Sequence, residues 1–327
     1  MRLPPPDFVV VGAPKCGTTA IHETLQQHPR LFLSGIKEPH YFAYDYPRRR
    51  EVEAIEDYDH LFAGAQGAQL RGEASAHYLS SKEATAAILQ RRPDAKFIAL
   101  VRNPVNMFVS WHNECVKNLD EDEQDPERAW NLQQDRAHGL RIPKLCKEPA
   151  FLQYKSVCSL GAQIQALFRL VREHQRLVIV FNDVEQRPRQ AYKQIVEFLD
   201  IDDDGGDNFV RQNVFARPRS ALVARLVRFA HLNPRIKKLR IWLKPILNEH
   251  GIRPIAWLIE GNLRNTAKPD VSTGFRLELE AAFAPDVQLL SRLLARNLCA
   301  LWSIGDGAAY AETGTQTSSL RAPAPCD

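Results

Sequence analysis

The sequence predicts an α/β fold: a parallel sheet flanked by helices, opening on a P-loop-like turn and followed by a mainly helical C-terminal extension. Three observations carry that expectation. Short apolar, β-branched runs alternate with helical patterns over residues 7–201, as in strands joined by crossover helices. The first such run passes through a glycine-bearing turn straight into a helix. Beyond Asp200 the strand-like runs fade and helical periodicity dominates to about Trp302.

The elements follow in order. Phe8-Val9-Val10-Val11 reads as a buried strand ending in Gly12. Thr18 to His28 reads as a helix, with Ile21 and Leu25 on one face and Pro29 stopping it. Leu70 to Ala74 is a short strand, and a helix over Lys82 to Arg91 ends before Pro93. Lys96 to Val101 is a second buried strand. Asn103-Pro104 then supplies an N-cap and a first-turn proline for a helix to about Val116. Gly161 to His174 is an amphipathic helix, Leu177 to Phe181 a third strong strand, and Arg189 to Leu199 a helix. Prolines at 218, 234, 245, 254, 269 and 285 are expected to interrupt the later helices. The stretch from Gly305 is rich in Gly, Ala, Ser, Thr and Pro and is expected to be a disordered tail. The expected organisation is one domain over 1–304, with a core over about 7–201, a helical extension over about 205–304 and a tail over 305–327.

Composition bounds the function classes. A chain of 327 residues, 44% hydrophobic and 25% charged, is neither disordered nor membrane-filling in character. No run approaches the roughly 20 apolar residues of a transmembrane helix. The opening MRLPPPDFVVVGAP lacks the zones of a signal peptide, so a cytoplasmic location is expected. The six cysteines show no metal-ligand spacing and read as free thiols, with no metal required. From Arg211 to Lys244 there are ten Lys/Arg and no Asp or Glu. That block suits an acidic substrate or peripheral contact with a membrane, or it is a solvated basic helical face; a nucleic-acid partner is not expected. Asp120 to Glu127 reads as an exposed acidic loop before a helix.

The turn Gly12-Ala-Pro-Lys15-Cys16-Gly17-Thr18-Thr19 aims backbone N–H groups and the positive end of a helix at one point, which makes an anion cradle. The nucleotide-triphosphatase version has lysine immediately before the hydroxyl residue. Here Thr18 takes the lysine position and Lys15 has moved to mid-loop. Lys15 there would reach the bridging oxygen of a donor linked to a 5′-phosphate, and Thr18 and Thr19 would serve that phosphate. Cys16 is expected to be a small filler within this loop. Arg102 ends the KFIALV strand, and Ser110 lies about two turns into the next helix. Ligands of open parallel sheets bind beyond the carboxyl ends of the strands, and a planar guanidinium fits phosphate oxygens. Two separate grips describe a nucleotide phosphorylated at both 5′ and 3′ positions.

On VGAPKCGTT, KEPHYF at 37–42, GEASAHYL at 72–79, VRNPVNMFVSWH at 101–112 and VFNDVEQRPRQAYKQIVEFLDI at 180–201, the chain resembles the PAPS-dependent sulfotransferases, in the branch of carbohydrate (heparan-type) and bacterial enzymes; PAPS is 3′-phosphoadenosine 5′-phosphosulfate. The resemblance implies in-line attack of an acceptor hydroxyl or amine on the sulfur, with PAP (3′-phosphoadenosine 5′-phosphate) leaving. It also implies a glycan, glycolipid or small-molecule acceptor. Lys15 would stabilise the leaving phosphate. Glu38 matches the base of the heparan-type motif, and the aromatic residues Tyr41, Phe42 and Tyr44 are expected to raise its pKa. His40 would orient Glu38 or bind acceptor, and His77 is the alternative base. Lys15, Cys16, Gly17, Thr18, Thr19, Arg102 and Ser110 would hold the donor, with Lys268 over the 3′-phosphate. One departure stands out: Ala74 occupies the place where some heparan-type enzymes carry a second catalytic lysine, and Lys37 is a candidate replacement. The rival readings are a P-loop nucleotide kinase or phosphotransferase, and a non-catalytic nucleotide- or anion-binding module.

Overall fold

The protein is described from a computed structural model that covers residues 5–67, 69–206, 216–232, 261–266 and 270–305. The α/β expectation holds. Five parallel strands, β1 (Phe8–Gly12), β2 (Leu31–Leu33), β3 (Leu70–Ala74), β4 (Lys96–Val101) and β5 (Arg176–Val180), lie in the order β2-β3-β1-β4-β5. All five residues of β1 are buried because helices cover both faces of a parallel sheet, so its sequence is a continuous apolar run. Phe8 pairs with Gly72 on one side and Lys96 on the other. The strand order reverses around β1, so the crevice past its carboxyl end lies at a topological switch point.

The Pro104–Lys117 helix begins as the sequence predicts. Asn103 accepts hydrogen bonds from the backbone N–H of Val105 and Asn106 at 3.0 and 3.2 Å. The C-terminal helices are part of the core rather than an appendage. Phe275, Leu279, Phe283, Val287 and Leu290 form the buried stripe of the Thr273–Leu293 helix, which packs on helix Leu160–Leu170. Asp286 on that stripe accepts from the N–H groups of Gly161 and Ala162 at 2.7 and 2.9 Å, capping the second helix from outside. The Asp286 backbone comes so close that a Cβ at Gly161 would sit 2.3 Å from its carbonyl oxygen. Trp302 then ties the Leu298–Trp302 helix to the segments that follow β4 and β5: its indole donates to Asn182 and its carbonyl accepts from Asn103.

Several expectations need correction. Pro285 does not interrupt its helix, which runs through it; the buried stripe around it holds the turn that lacks one N–H. β2 was not anticipated, and the region past Asp200 contains a small antiparallel ribbon, β6 (Ala216–Pro218) with β7 (Leu263–Asn265). The acidic run at 120–127 is not a uniformly exposed loop. Asp120 and Glu121 are buried, Asp120 taking hydrogen bonds from Arg49, Arg228 and the Lys147 N–H. Glu121 forms a fully buried fork with Arg136 and also accepts from Tyr154. Arg228 therefore departs from the reading of 211–244 as a solvated basic face, while Arg225 is exposed. Residues 211–215 and 233–244 of that block, Lys268, Trp242, Trp257, Cys326 and the expected tail from 306 onward lie outside the described residues.

Candidate active site

Parallel strands deliver their carboxyl ends to one edge of the sheet, and a cleft of about 440 Å³ opens there, within the range of small-molecule sites. β1 feeds the loop to Thr18, β4 feeds Arg102, and β5 feeds Phe181. Lys15, Gly17, Thr18, Thr19, Arg102 and Ser110 all line this cleft. The two anion grips are bonded to each other: Arg102 Nη1 donates to the Lys15 carbonyl at 2.9 Å. That uses one of the guanidinium's five N–H groups. Phe181 floors the arrangement, its ring 4.5 Å from the Arg102 guanidinium carbon. Gly17 has φ of 91°, and a Cβ there would meet the same ring at 2.8 Å. Glycine is required at 17 on both counts.

The Lys15 ammonium lies 3.0 Å from Glu114 Oε2. Glu114 also pairs with Lys117 at 2.6 Å and accepts from Asn118 at 3.0 Å. Burial alone would push the Glu114 pKa up, but Lys15 and Lys117 outweigh it and bring it down to about 2. Cys16 is fully buried, its thiol facing Met107 Sδ at 3.8 Å and pushed up to about 12 by burial. Its N–H is committed to the Ala13 carbonyl at 3.3 Å, and it does not line the cleft.

The sequence model of the Sulfotransferase domain matches residues 5–231. The chain belongs to the sulfotransferase family. Human heparan sulfate glucosamine 3-O-sulfotransferase 6 is 34% identical over 105 residues, covering 32% of this chain and 29% of that protein. The Dictyostelium discoideum membrane-associated sulfotransferase kil1 is 27% identical over 121 residues, covering 37% and 25%. The chain thus spans less than a third of these curated relatives' lengths. A sulfotransferase from Alicyclobacillus acidocaldarius shares the fold at a TM-score of 0.65 and 22% identity, over 91% of this chain and 98% of that one.

In this member of the family Glu38 and His77 line the same cleft. The 38–42 loop is fastened to the end of β3 and the segment after it by three hydrogen bonds. Glu38 N–H donates to the Ala74 carbonyl at 2.9 Å, His40 N–H to Ser75 Oγ at 3.0 Å, and Phe42 N–H to the Tyr78 hydroxyl at 3.1 Å. Ser75 in turn donates to the fully buried Glu73, which also accepts from Tyr58. Burial pushes the Glu73 pKa up, and its carboxyl is linked to the loop through Ser75. Glu38 and His77 line the cleft; His40 is buried behind them, with Nε2 3.5 Å from Glu38 Oε2.

The expected rise in the Glu38 pKa is overturned. Burial acts upward, but the Lys37 ammonium at 2.8 Å, followed by the His40 hydrogen bond, holds the carboxyl well below the usual range. The Glu38 side chain is 37% exposed, so the aromatic neighbours do not enclose it. His77 is stacked on Phe151 at 4.0 Å with Trp111 edge-on at 5.2 Å. Burial, reinforced by His40, pushes its pKa well below the ordinary histidine value, and its Nδ1 has no hydrogen-bond partner among the described residues. His112 is buried and faces the Glu123 carbonyl at 3.0 Å, and Trp111 donates to the Phe151 carbonyl; both are held by packing.

Sequence reading missed Glu114, Lys117 and Arg49, all of which line the cleft. The first two were findable. Ser110, Asn113, Glu114 and Lys117 fall at i, i+3, i+4 and i+7 of one helix, so a helix that turns Ser110 to the cleft turns the others there too. Arg49, stacked over Phe151 and paired with Asp120 71 residues on, left no local signal.

Proposed function

We propose that this sulfotransferase moves the sulfuryl group of PAPS to a hydroxyl or amine of a glycan or glycolipid and releases PAP. The single observation that carries the reading is the Arg102–Lys15 hydrogen bond, which draws two anion-binding elements into one cleft. A nucleotide phosphorylated at both ends needs two such elements close together.

In this account the loop N–H groups, Thr18 and Thr19 bind the 5′-phosphate, while Arg102 and Ser110 bind the 3′-phosphate. The acceptor oxygen attacks sulfur, the bond from sulfur to the 5′-phosphate oxygen breaks, and that oxygen leaves with the electron pair. Lys15 stabilises the charge it gains. Glu38 accepts the acceptor's proton as the new O–S bond forms. Its carboxylate is ionised across the physiological range because Lys37 and His40 keep its pKa low, so it is ready to accept but weakly basic. Lys37 supplies the cation that Ala74 cannot. His77 lines the same cleft and its buried Nδ1 has no hydrogen-bond partner among the described residues, which favours a second reading of the base, in which neutral His77 takes the proton. Glu38→Gln and His77→Gln separate the two: the true base loses about 10²–10⁴-fold in kcat, the other far less.

The test of the whole reading is incubation with sulfur-labelled PAPS and glycan or glycolipid fractions, followed by identification of labelled product. Label transfer with PAP release supports it. Phosphate transfer from ATP, or no transfer from PAPS to any acceptor, overturns it.

A further inference from the structure

The donor cleft is lined by Lys15, Lys37, Arg49, Arg102 and Lys117 but also by Glu38, Glu114 and Glu185, and of these carboxylates Glu114 bears directly on Lys15. Glu114 lines the cleft one helical turn beyond Ser110 and takes the Lys15 ammonium at 3.0 Å. It does not depend on Lys15 alone, since Lys117 at 2.6 Å and the Asn118 amide at 3.0 Å both bind its other oxygen, Oε1. When Lys15 swings away, Glu114 therefore keeps a counter-ion. Lys15 is less firmly held: its backbone is fixed at φ of 62° and through its carbonyl to Arg102, but its side chain is 32% exposed. Its ammonium has only Glu114 as a hydrogen-bond partner among the described residues.

We infer that Glu114 is a positioning residue that competes with bound nucleotide for the Lys15 ammonium, holding it across the cleft whenever no phosphate is in reach. The inference rests on the proposed role of Lys15 at the 5′-phosphate. Donor and product meet the same competition. PAP must pull Lys15 from Glu114 to bind and returns it on leaving, so the carboxylate weakens product binding and speeds its departure. Because Lys117 stays with Glu114, the exchange does not strand a buried charge, which would otherwise make it prohibitive.

The experiment measures PAP affinity by calorimetry for the full chain, Glu114→Gln, Glu114→Asp, Lys15→Met and the Lys15→Met/Glu114→Gln double variant. Melting temperatures are taken alongside to show that each is folded. Glu114→Gln is expected to bind PAP about tenfold more tightly, with slower PAP release. Glu114→Asp, which leaves a carboxylate for Lys117 but withdraws it from Lys15 by one methylene, tightens binding to a smaller degree. In the Lys15→Met background the Glu114→Gln gain disappears. An unchanged PAP affinity in folded Glu114→Gln overturns the inference. So does a gain that persists without Lys15, which marks simple repulsion between Glu114 and the nucleotide. Failure of the unaltered chain to bind PAP at all strikes the functional reading instead.

Discussion

The carbonyl of Lys15 accepts a 2.9 Å hydrogen bond from Arg102 Nη1, so the loop after β1 and the residue ending β4 are joined through the main chain of the loop itself. A lysine at position 102 could not make that bond and offer a planar fork to a phosphate at once. The grip proposed for the 3′-phosphate thus calls for a guanidinium, which rests over the Phe181 ring.

Gly17→Ala tests that floor. The new methyl meets Phe181 at 2.8 Å in a backbone conformation that non-glycine residues rarely adopt. Phe181 must move and take its contact with Arg102 with it. PAP affinity is expected to fall at least tenfold while the chain stays folded, at a cost of about 1–3 kcal/mol. Calorimetric titration and thermal melting read the two effects separately.

Glu38→Gln removes the proposed base but keeps the shape of the loop. An expected loss of about 10²–10⁴-fold in kcat, with PAP affinity unchanged, would separate a role in proton transfer from one in donor binding. Because Lys37 and His40 hold the carboxyl low, the unaltered chain should keep Glu38 ionised well below neutral pH. Steady-state rates should accordingly show no loss from Glu38 protonation between pH 6 and 8.

Acid stability reports on Glu114. Its pKa is depressed in the folded state, from 4.5 to about 2. It contributes stability that is complete above about pH 5 and is lost as pH falls toward 2. Melting temperature against pH should therefore fall less steeply over that window in Glu114→Gln than in the unaltered chain. Identical slopes would mean that the Lys15 and Lys117 pairs contribute nothing to folding.

Glu121→Gln leaves the Arg136 guanidinium without its carboxylate in a fully buried site. Breaking a buried pair from one side costs about 3–5 kcal/mol. A large fall in denaturation midpoint is expected. A cost below 1 kcal/mol would place the pair in the class of exposed ion pairs.

The contrast between these sites explains what could be read from sequence. The β1 strand, its loop and the Asn103 cap are local features: a glycine, a lysine, two threonines and an Asn-Pro pair sit together in the chain, and their geometry follows from spacing. β2 has only Leu31–Leu33, too short to separate from a loop by periodicity. Asp120 and Glu121 look like a solvated acidic run, because the arginines that bury them, Arg49, Arg136 and Arg228, are distant in sequence. The Lys15–Glu114 pair joins residues 99 apart. The Glu38 pKa departs from expectation for a different reason: the aromatic neighbours leave its side chain 37% exposed, while Lys37 and His40, close by in the chain, act directly on the carboxylate.

The most direct test of the central claim is a titration, in EDTA, of the unaltered chain and Arg102→Ala with PAP and with adenosine 5′-monophosphate, which lacks the 3′-phosphate. The account predicts that the unaltered chain strongly prefers PAP. In Arg102→Ala, PAP affinity should fall to near that of the monophosphate, whose own affinity barely changes. Equal weakening of both nucleotides, or no preference for PAP in the unaltered chain, would contradict it.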